Sequence, residues 1–436
     1  MLRSFPSRLG LAILSGAMAT GALTAPAAAV EDSALAGART DPSGLPVVSA
    51  DEALPQATTL VVKAVDSITG APVGAFCVQA WELDEPVCGD TDGVTLTGLP
   101  VGPARFNVEA TDSEFYLAQR GATATLSADQ ATTVTVPLVF GGKVAITASD
   151  RVTGQATGGA CFTLKAIGRP ENFSGGCTGA DGEGTLDTPV AAGTYTVFVK
   201  APDSYGHQWL GRTGGTGDQK QAARVVVKPG KTTKAPAVRL DRAGSITGVV
   251  TGTDGTPRSG VNVNYRANAN VASGEPGGVH TDDSGRYVID ELGPYAWPLL
   301  FSPSGEYPYQ WSGNVGNRFQ AVKIPVTAGG GSTYDITLAK GSTLRGTITP
   351  GSPEVRLLAH NAATGDLVGV FHGWDGQNDV TSYQIPLIGG QRVKLQWSLY
   401  QRANTGAWHA GATDISTATK VGIPVSGVKE LNLTPN

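Results

Sequence analysis

The sequence predicts an all-β protein built from four tandem antiparallel β-sandwiches, preceded by an export signal and an unstructured stem. Three observations carry this. Glycine numbers 59 and proline 27 in 436 residues, while charged residues make up 16% and aromatics 7%. That mixture suits short strands joined by tight turns, and it suits neither a long helical protein nor a charged disordered one. Short alternating apolar runs recur at Leu60–Val65, Lys143–Ile146, Ser245–Val250 and Thr343–Ile348, a spacing close to the size of one small sandwich. The same order of turn signals follows each run, so the chain divides into repeats rather than one large core.

The N-terminus opens with Arg3 and Arg8, continues through the apolar stretch Leu9 to Leu23, and reaches Ala27-Ala28-Ala29 just before Val30-Glu31-Asp32. A positive region, an apolar region and an A-x-A site are the signature of an export signal. Residues 1–29 are therefore expected to be removed and the remainder secreted, with no membrane span in the mature chain. The whole chain has a formal charge of −5; without Arg3 and Arg8 it holds 30 basic against 37 acidic residues, or −7. A mildly acidic chain without a basic stripe excludes nucleic acid as a partner. Residues 30–59, rich in Ala, Pro and Asp, read as a disordered stem. The sandwiches are expected at 60–140, 142–241, 243–340 and 341–436.

Within each repeat an opening strand leads to a glycine turn: Asp66-Ser67-Ile68-Thr69-Gly70, Asp150-Arg151-Val152-Thr153-Gly154 and Thr253-Asp254-Gly255, with Pro350-Gly351-Ser352-Pro353 in the fourth. A second turn follows at Asp92-Gly93, Asp181-Gly182, Ser284-Gly285 and Asp375-Gly376. Glycine supplies the positive φ and the Asp carboxylate bonds back to its own turn. A longer motif, Y-x-x-Q-W-x-G, joins the second and third repeats as Tyr205 to Gly211 and Tyr307 to Gly313. The fourth keeps a looser echo at Trp408 and Gly411, and the first has only Phe115-Tyr116 there.

The stretch Gly244-Ser245-Ile246-Thr247-Gly248-Val249-Val250, with Asp254-Gly255-Thr256-Pro257, Gly260-Val261-Asn262-Val263 and Thr281-Asp282-Asp283-Ser284-Gly285-Arg286-Tyr287 after it, resembles the carboxypeptidase regulatory-like domain. The Y-x-x-Q-W segment is similar to secreted tandem copies of that domain in actinobacteria. The resemblance implies an Ig-like, transthyretin-like sandwich related to the collagen-adhesin B-type modules. Its motifs are turn chemistry, so they speak to fold rather than function.

Four cysteines in an exported chain imply two disulfides. Cys88 and Cys177 each stand four residues before an Asp-Gly turn, and the shared offset pairs Cys77 with Cys88 and Cys161 with Cys177. No cofactor or metal is expected. His207, His280, His360, His372 and His409 show no ligand spacing, and Asp90 to Gly93 and His280 to Asp283 lack the twelfth-position Glu of a calcium loop. No nucleophile elbow, zinc-protease or P-loop motif is present.

Tyr205, Trp209, Tyr307, Trp311 and Trp408 are the candidate ligand-binding residues. Flat aromatic rings can stack on sugars, or they can pin a loop against the sandwich flank, and their exposure decides between the two. The function expected is that of a secreted, non-catalytic binding, adhesion or spacer array, whose partner is an extracellular polysaccharide or a matrix or cell-surface protein. The alternative is a carbohydrate-binding accessory protein of starch-binding-like fold. Such a chain could carry an α-amylase label by fold relation while lacking the catalytic barrel and the carboxylate pair of glycoside hydrolysis.

Overall fold

The computed structural model describes residues 58–168, 172–173, 175–266, 278–376, 378–399 and 407–434. The expected export signal and almost all of the expected stem lie outside these residues. The described residues form four tandem β-sandwiches, each of two main sheets. In the first, Thr59–Asp66 pairs with Val94–Thr97 and Ala131–Leu138, while Ala75–Ala80 lies between Val87–Asp90 and Gly102–Ala110. The alternation read from the sequence is a burial pattern here. Leu60, Val62 and Ala64 point inward along the first strand, as do Phe76, Val78 and Ala80 along the second.

One pairing departs from purely antiparallel order, and it recurs in all four units. The opening strand runs parallel to the closing one: Thr59–Asp66 with Ala131–Leu138, Lys143–Asp150 with Thr232–Lys234 and Val238–Leu240, Gly244–Thr251 with Gly331–Thr333 and Ile336–Thr337, and Ser342–Ser352 with Val428–Glu430. A sandwich whose first and last strands are parallel places its two ends at opposite poles. Short links then suffice to join one unit to the next.

The turns use the expected chemistry. Gly70, Gly154, Gly255, Gly93, Gly182, Gly285 and Gly376 all have positive φ. Asp66 Oδ1 accepts from the amides of Ile68 and Thr69, and Asp150 Oδ1 from those of Val152 and Thr153. The fourth unit makes the same turn later in its sequence, where Asn361 Oδ1 accepts from the amides of Ala363 and Thr364. Its Ser342–Ser352 strand runs through Pro350, Gly351 and Ser352 of the expected turn, and only Pro353 of that turn separates it from Glu354–Asn361.

Candidate functional site: sandwich seams, exposed rings and a polar cleft

The cysteines pair as Cys77–Cys88 and Cys161–Cys177. Cys77 and Cys88 are directly opposed across Ala75–Ala80 and Val87–Asp90, so that disulfide clips the base of a hairpin whose loop runs from Trp81 to Pro86.

The five aromatic candidates do not form an open platform. Trp209 is 3% exposed, Trp311 0%, Trp408 3% and Tyr307 4%. Tyr205 is half-buried, with its hydroxyl 2.8 Å from Asp150 Oδ2. A sugar needs a free ring face, and burial removes it from all four strongly buried rings. Trp397, which alternates with polar neighbours in the sequence, lies in the core of the fourth sandwich.

The Y-x-x-Q-W-x-G motif has two parts with different partners. Its tyrosine latches onto the first turn of its own sandwich. Tyr205 bonds to Asp150, Tyr307 accepts from the Thr253 amide at 3.0 Å, and Tyr116 of the first unit lies 3.4 Å from Asp66 in the same way. The Thr153 amide, with the Tyr205 hydroxyl next, holds the Asp150 carboxyl down to about 2. The residue just before the glutamine reaches the following sandwich. His207 forms a parallel bridge with Leu292, and Tyr309 does so with Leu387.

At the seam between the second and third sandwiches, Phe198, Trp209 and Ala222 join the same apolar cluster as Tyr265, Leu292 and Trp297. Gln208 is fully buried, and its Oε1 accepts from the Tyr295 hydroxyl at 2.8 Å. His207 Nδ1 lies 2.8 Å from the Tyr265 hydroxyl and 3.6 Å from Glu291 Oε1. Burial holds the His207 imidazole down to about 4, against the pull of Glu291.

A buried ionic junction ties three sandwiches together. Asp366 of the fourth, 0% exposed, lies 3.7 Å from Lys165 Nζ of the second and 3.3 Å from Arg318 Nε of the third. Burial lowers the Arg318 pKa, opposed by Asp366 and Asp218. Lys323 of the third sandwich pairs with Asp218 of the second at 3.1 Å. The Gly168 amide donates to the Thr364 carbonyl at 3.3 Å, so the second and fourth sandwiches also meet through their backbones.

Two tryptophans remain open, and neither is among the sequence candidates. Trp81 is 61% exposed and Trp374 71%. The Arg105 guanidinium lies 5.3 Å from the centre of the Trp81 ring, and the Trp81 amide donates to the Arg105 carbonyl at 3.1 Å. Gln79 Nε2 donates to the Leu83 carbonyl at 2.5 Å, which orders the loop beside the ring. Trp374 ends the strand Leu367–Trp374, opposite Glu354. The signal for Trp81 was present in the sequence: Phe76, Val78 and Ala80 alternate inward, which puts position 81 on the outer face.

The described residues also line two hollows. One, of about 480 Å³, is lined by Arg151, Arg212, Thr213, Ala237 and Arg239 of the second sandwich. The other, of about 400 Å³, lies between the third and fourth. Among the described residues no group of three or more His, Cys, Asp or Glu could hold a metal ion. The carboxylates of Asp90 and Asp282 are engaged within their own turns.

No protein-family model matches the chain, and no curated protein matches it. Among solved structures, the Bacillus anthracis TIE protein aligns at 12% identity over 87% of this chain and 68% of its own, with a TM-score of 0.18. GBS52, the minor pilin of Streptococcus agalactiae, aligns at 14% identity over 45% of this chain and 95% of its own, TM-score 0.22. Two B repeat units of the collagen binding protein of Staphylococcus aureus align at 12% identity over 87% and 98%, TM-score 0.16. Scores this low carry no functional argument, and the reading below rests on this molecule's own residues.

Proposed function

We propose that this chain is a non-catalytic extracellular protein that presents binding surfaces for adhesion. The observation that carries it is the division of its seven tryptophans. Trp209, Trp297, Trp311, Trp397 and Trp408 are at most 5% exposed, while Trp81 of the first sandwich and Trp374 of the fourth stand open. Tryptophan is enriched among the residues that dominate protein–protein binding. The buried junction at Asp366 supports fixed presentation over a freely jointed spacer. Export supports the two disulfides, since such bonds persist in oxidising surroundings. Removal of residues 1–29, a stem at 30–59, sandwich limits at 60–140, 142–241, 243–340 and 341–436, and membership of the carboxypeptidase regulatory-like group belong to this same proposal.

The test is an array of matrix proteins, cell-surface proteins and glycans probed with the exported chain and with its Trp81→Ala and Trp374→Ala variants. Capture of a partner by the parent, weakened in at least one variant whose melting temperature is unchanged, supports the reading. Equal capture by parent and both variants would remove the exposed rings from it. N-terminal sequencing of the exported chain should begin at Val30.

A further inference from the structure

The seam between the third and fourth sandwiches holds a cleft of about 400 Å³, within the usual range for small-ligand sites. Its chemistry is uneven in a way that fold stability does not require. Asn314 and Gln320 come from the third sandwich, and Asn361, Gln391, Arg392 and Lys420 from the fourth. No Asp or Glu is among the described lining residues.

The floor is fixed in place. Asn361 Nδ2 donates to the Gly316 carbonyl of the third sandwich at 3.0 Å and to Gln391 Oε1 at 3.1 Å, and Gln391 Nε2 donates to the Ile388 carbonyl at 2.8 Å. Asn361 is 3% exposed and Gln391 9%. The wall is the opposite. Gln320, Arg392 and Lys420 are exposed, and none has a side-chain hydrogen bond or ion pair among the described residues. Lys394 lies near Lys420, which adds to the burial that lowers its pKa, while Asp414 opposes both.

We propose that this inter-sandwich cleft binds an acidic oligosaccharide bearing carboxylates, with Arg392 and Lys420 taking the carboxylates and Gln320 a hydroxyl over the rigid floor of Asn361 and Gln391. A guanidinium offers a planar fork that matches a carboxylate, and an ammonium offers a point charge beside it. A carboxamide both donates and accepts, as a sugar hydroxyl does. Two exposed cations, with no carboxylate in the lining of the cleft, select a negatively charged ligand over a neutral one. This goes beyond surface presentation by the exposed tryptophans and does not depend on it.

The experiment is titration calorimetry of the full chain with tetragalacturonate, maltotetraose and inorganic sulfate. Saturable binding of tetragalacturonate is expected, weakened several-fold when salt rises from about 0.05 M to about 0.5 M. Arg392→Ala and Lys420→Ala should each weaken it by about tenfold, the scale of one charge-assisted contact. Both side chains are exposed, so the melting temperature should not move, and Gln320→Ala gives a third, uncharged probe of the same wall.

No binding of tetragalacturonate overturns the proposal. So does binding that both charge variants leave unchanged, or maltotetraose binding equally well. Sulfate matching tetragalacturonate would mean an adventitious ion only. Loss of the signal solely in an Arg212→Ala/Arg239→Ala variant would move the site to the arginine hollow of the second sandwich, and would equally overturn the assignment to this cleft.

Discussion

Burying a large aromatic side chain removes about 150–250 Å² from water, and Trp209 and Trp311 are 3% and 0% exposed. Trp209 also meets Phe198 edge-on, with ring centres 5.1 Å apart. Replacing either tryptophan by alanine should cost about 3–5 kcal/mol, the range for large buried aromatics. Chemical denaturation of each variant measures it. Trp81→Ala should stay within about 1 kcal/mol of the parent, since the ring leaves little apolar surface to lose. A small loss at Trp209 with a large one at Trp81 would invert the assignment of the two classes. At this scale the sequence is half legible. The Tyr-x-x-Gln-Trp spacing marks the rings as a repeated device, and the turns around Asp66 and Asp150 are readable from Asp-x-x-Thr-Gly alone. Trp209 faces the following sandwich, whereas Trp311 packs against Leu300 and Ala321 of its own, and local alternation contains neither partner.

The element that matters most is the seam formed by the motif. Its backbone approaches the next unit closely: the His207 amide donates to the Glu291 carbonyl at 2.7 Å, and the Gly293 amide to the His207 carbonyl at 2.9 Å. A side chain at Gly206 would run into the backbone of Leu292 and Gly293, so glycine is required there for contact rather than for φ. The same seam carries a pH dependence. The His207 ring faces Tyr265 and Glu291 of the third sandwich, with Arg266 and Lys200 adding to its field. Burial holds it near 4 in the fold, against an ordinary value of 6.5. The unfolded chain therefore binds more protons between those values. The stability contributed by neutral His207 is present above pH about 6.5 and is lost as pH falls towards 4, by roughly 3 kcal/mol. Buried His360, also held near 4 by burial, acts in the same direction. Unfolding free energy measured from pH 7 to pH 4 should fall, and a His207→Gln variant should show a shallower fall. An unchanged slope in that variant would exclude His207 as a contributor. None of this was legible from lone histidines in the sequence, because the partners of His207 lie 58 and 84 residues away.

For the whole molecule, the decisive contacts join units that are distant in sequence. Lys165, Arg318 and Asp366 belong to three different sandwiches, and no motif or spacing links them. The repeats and the disulfide offsets were legible because each is contained in one unit; the junction was not, because it exists only once three units have docked. Its energetic consequence is cooperativity. The first sandwich keeps an apolar cluster of its own, from Leu60 to Leu138, whereas one cluster runs across the second and third. The first meets the second through its link and the Lys143–Glu114 pair, in which Lys143 is largely buried but Glu114 is largely exposed, and screening by water limits what a pair open on one side contributes. Scanning calorimetry should therefore show two transitions, a smaller one for the first sandwich and a larger one for the other three together. Asp366→Ala tests the coupling directly. It leaves the buried Arg318 guanidinium without its nearest carboxylate, a loss of about 3–5 kcal/mol for a broken buried pair. That loss should fall on the larger transition, lowering it and splitting the fourth sandwich from the second and third, while the first keeps its melting temperature. Four separate transitions in the parent chain, or an Asp366→Ala variant that melts like the parent, would show the sandwiches to be independent and the junction to be energetically silent.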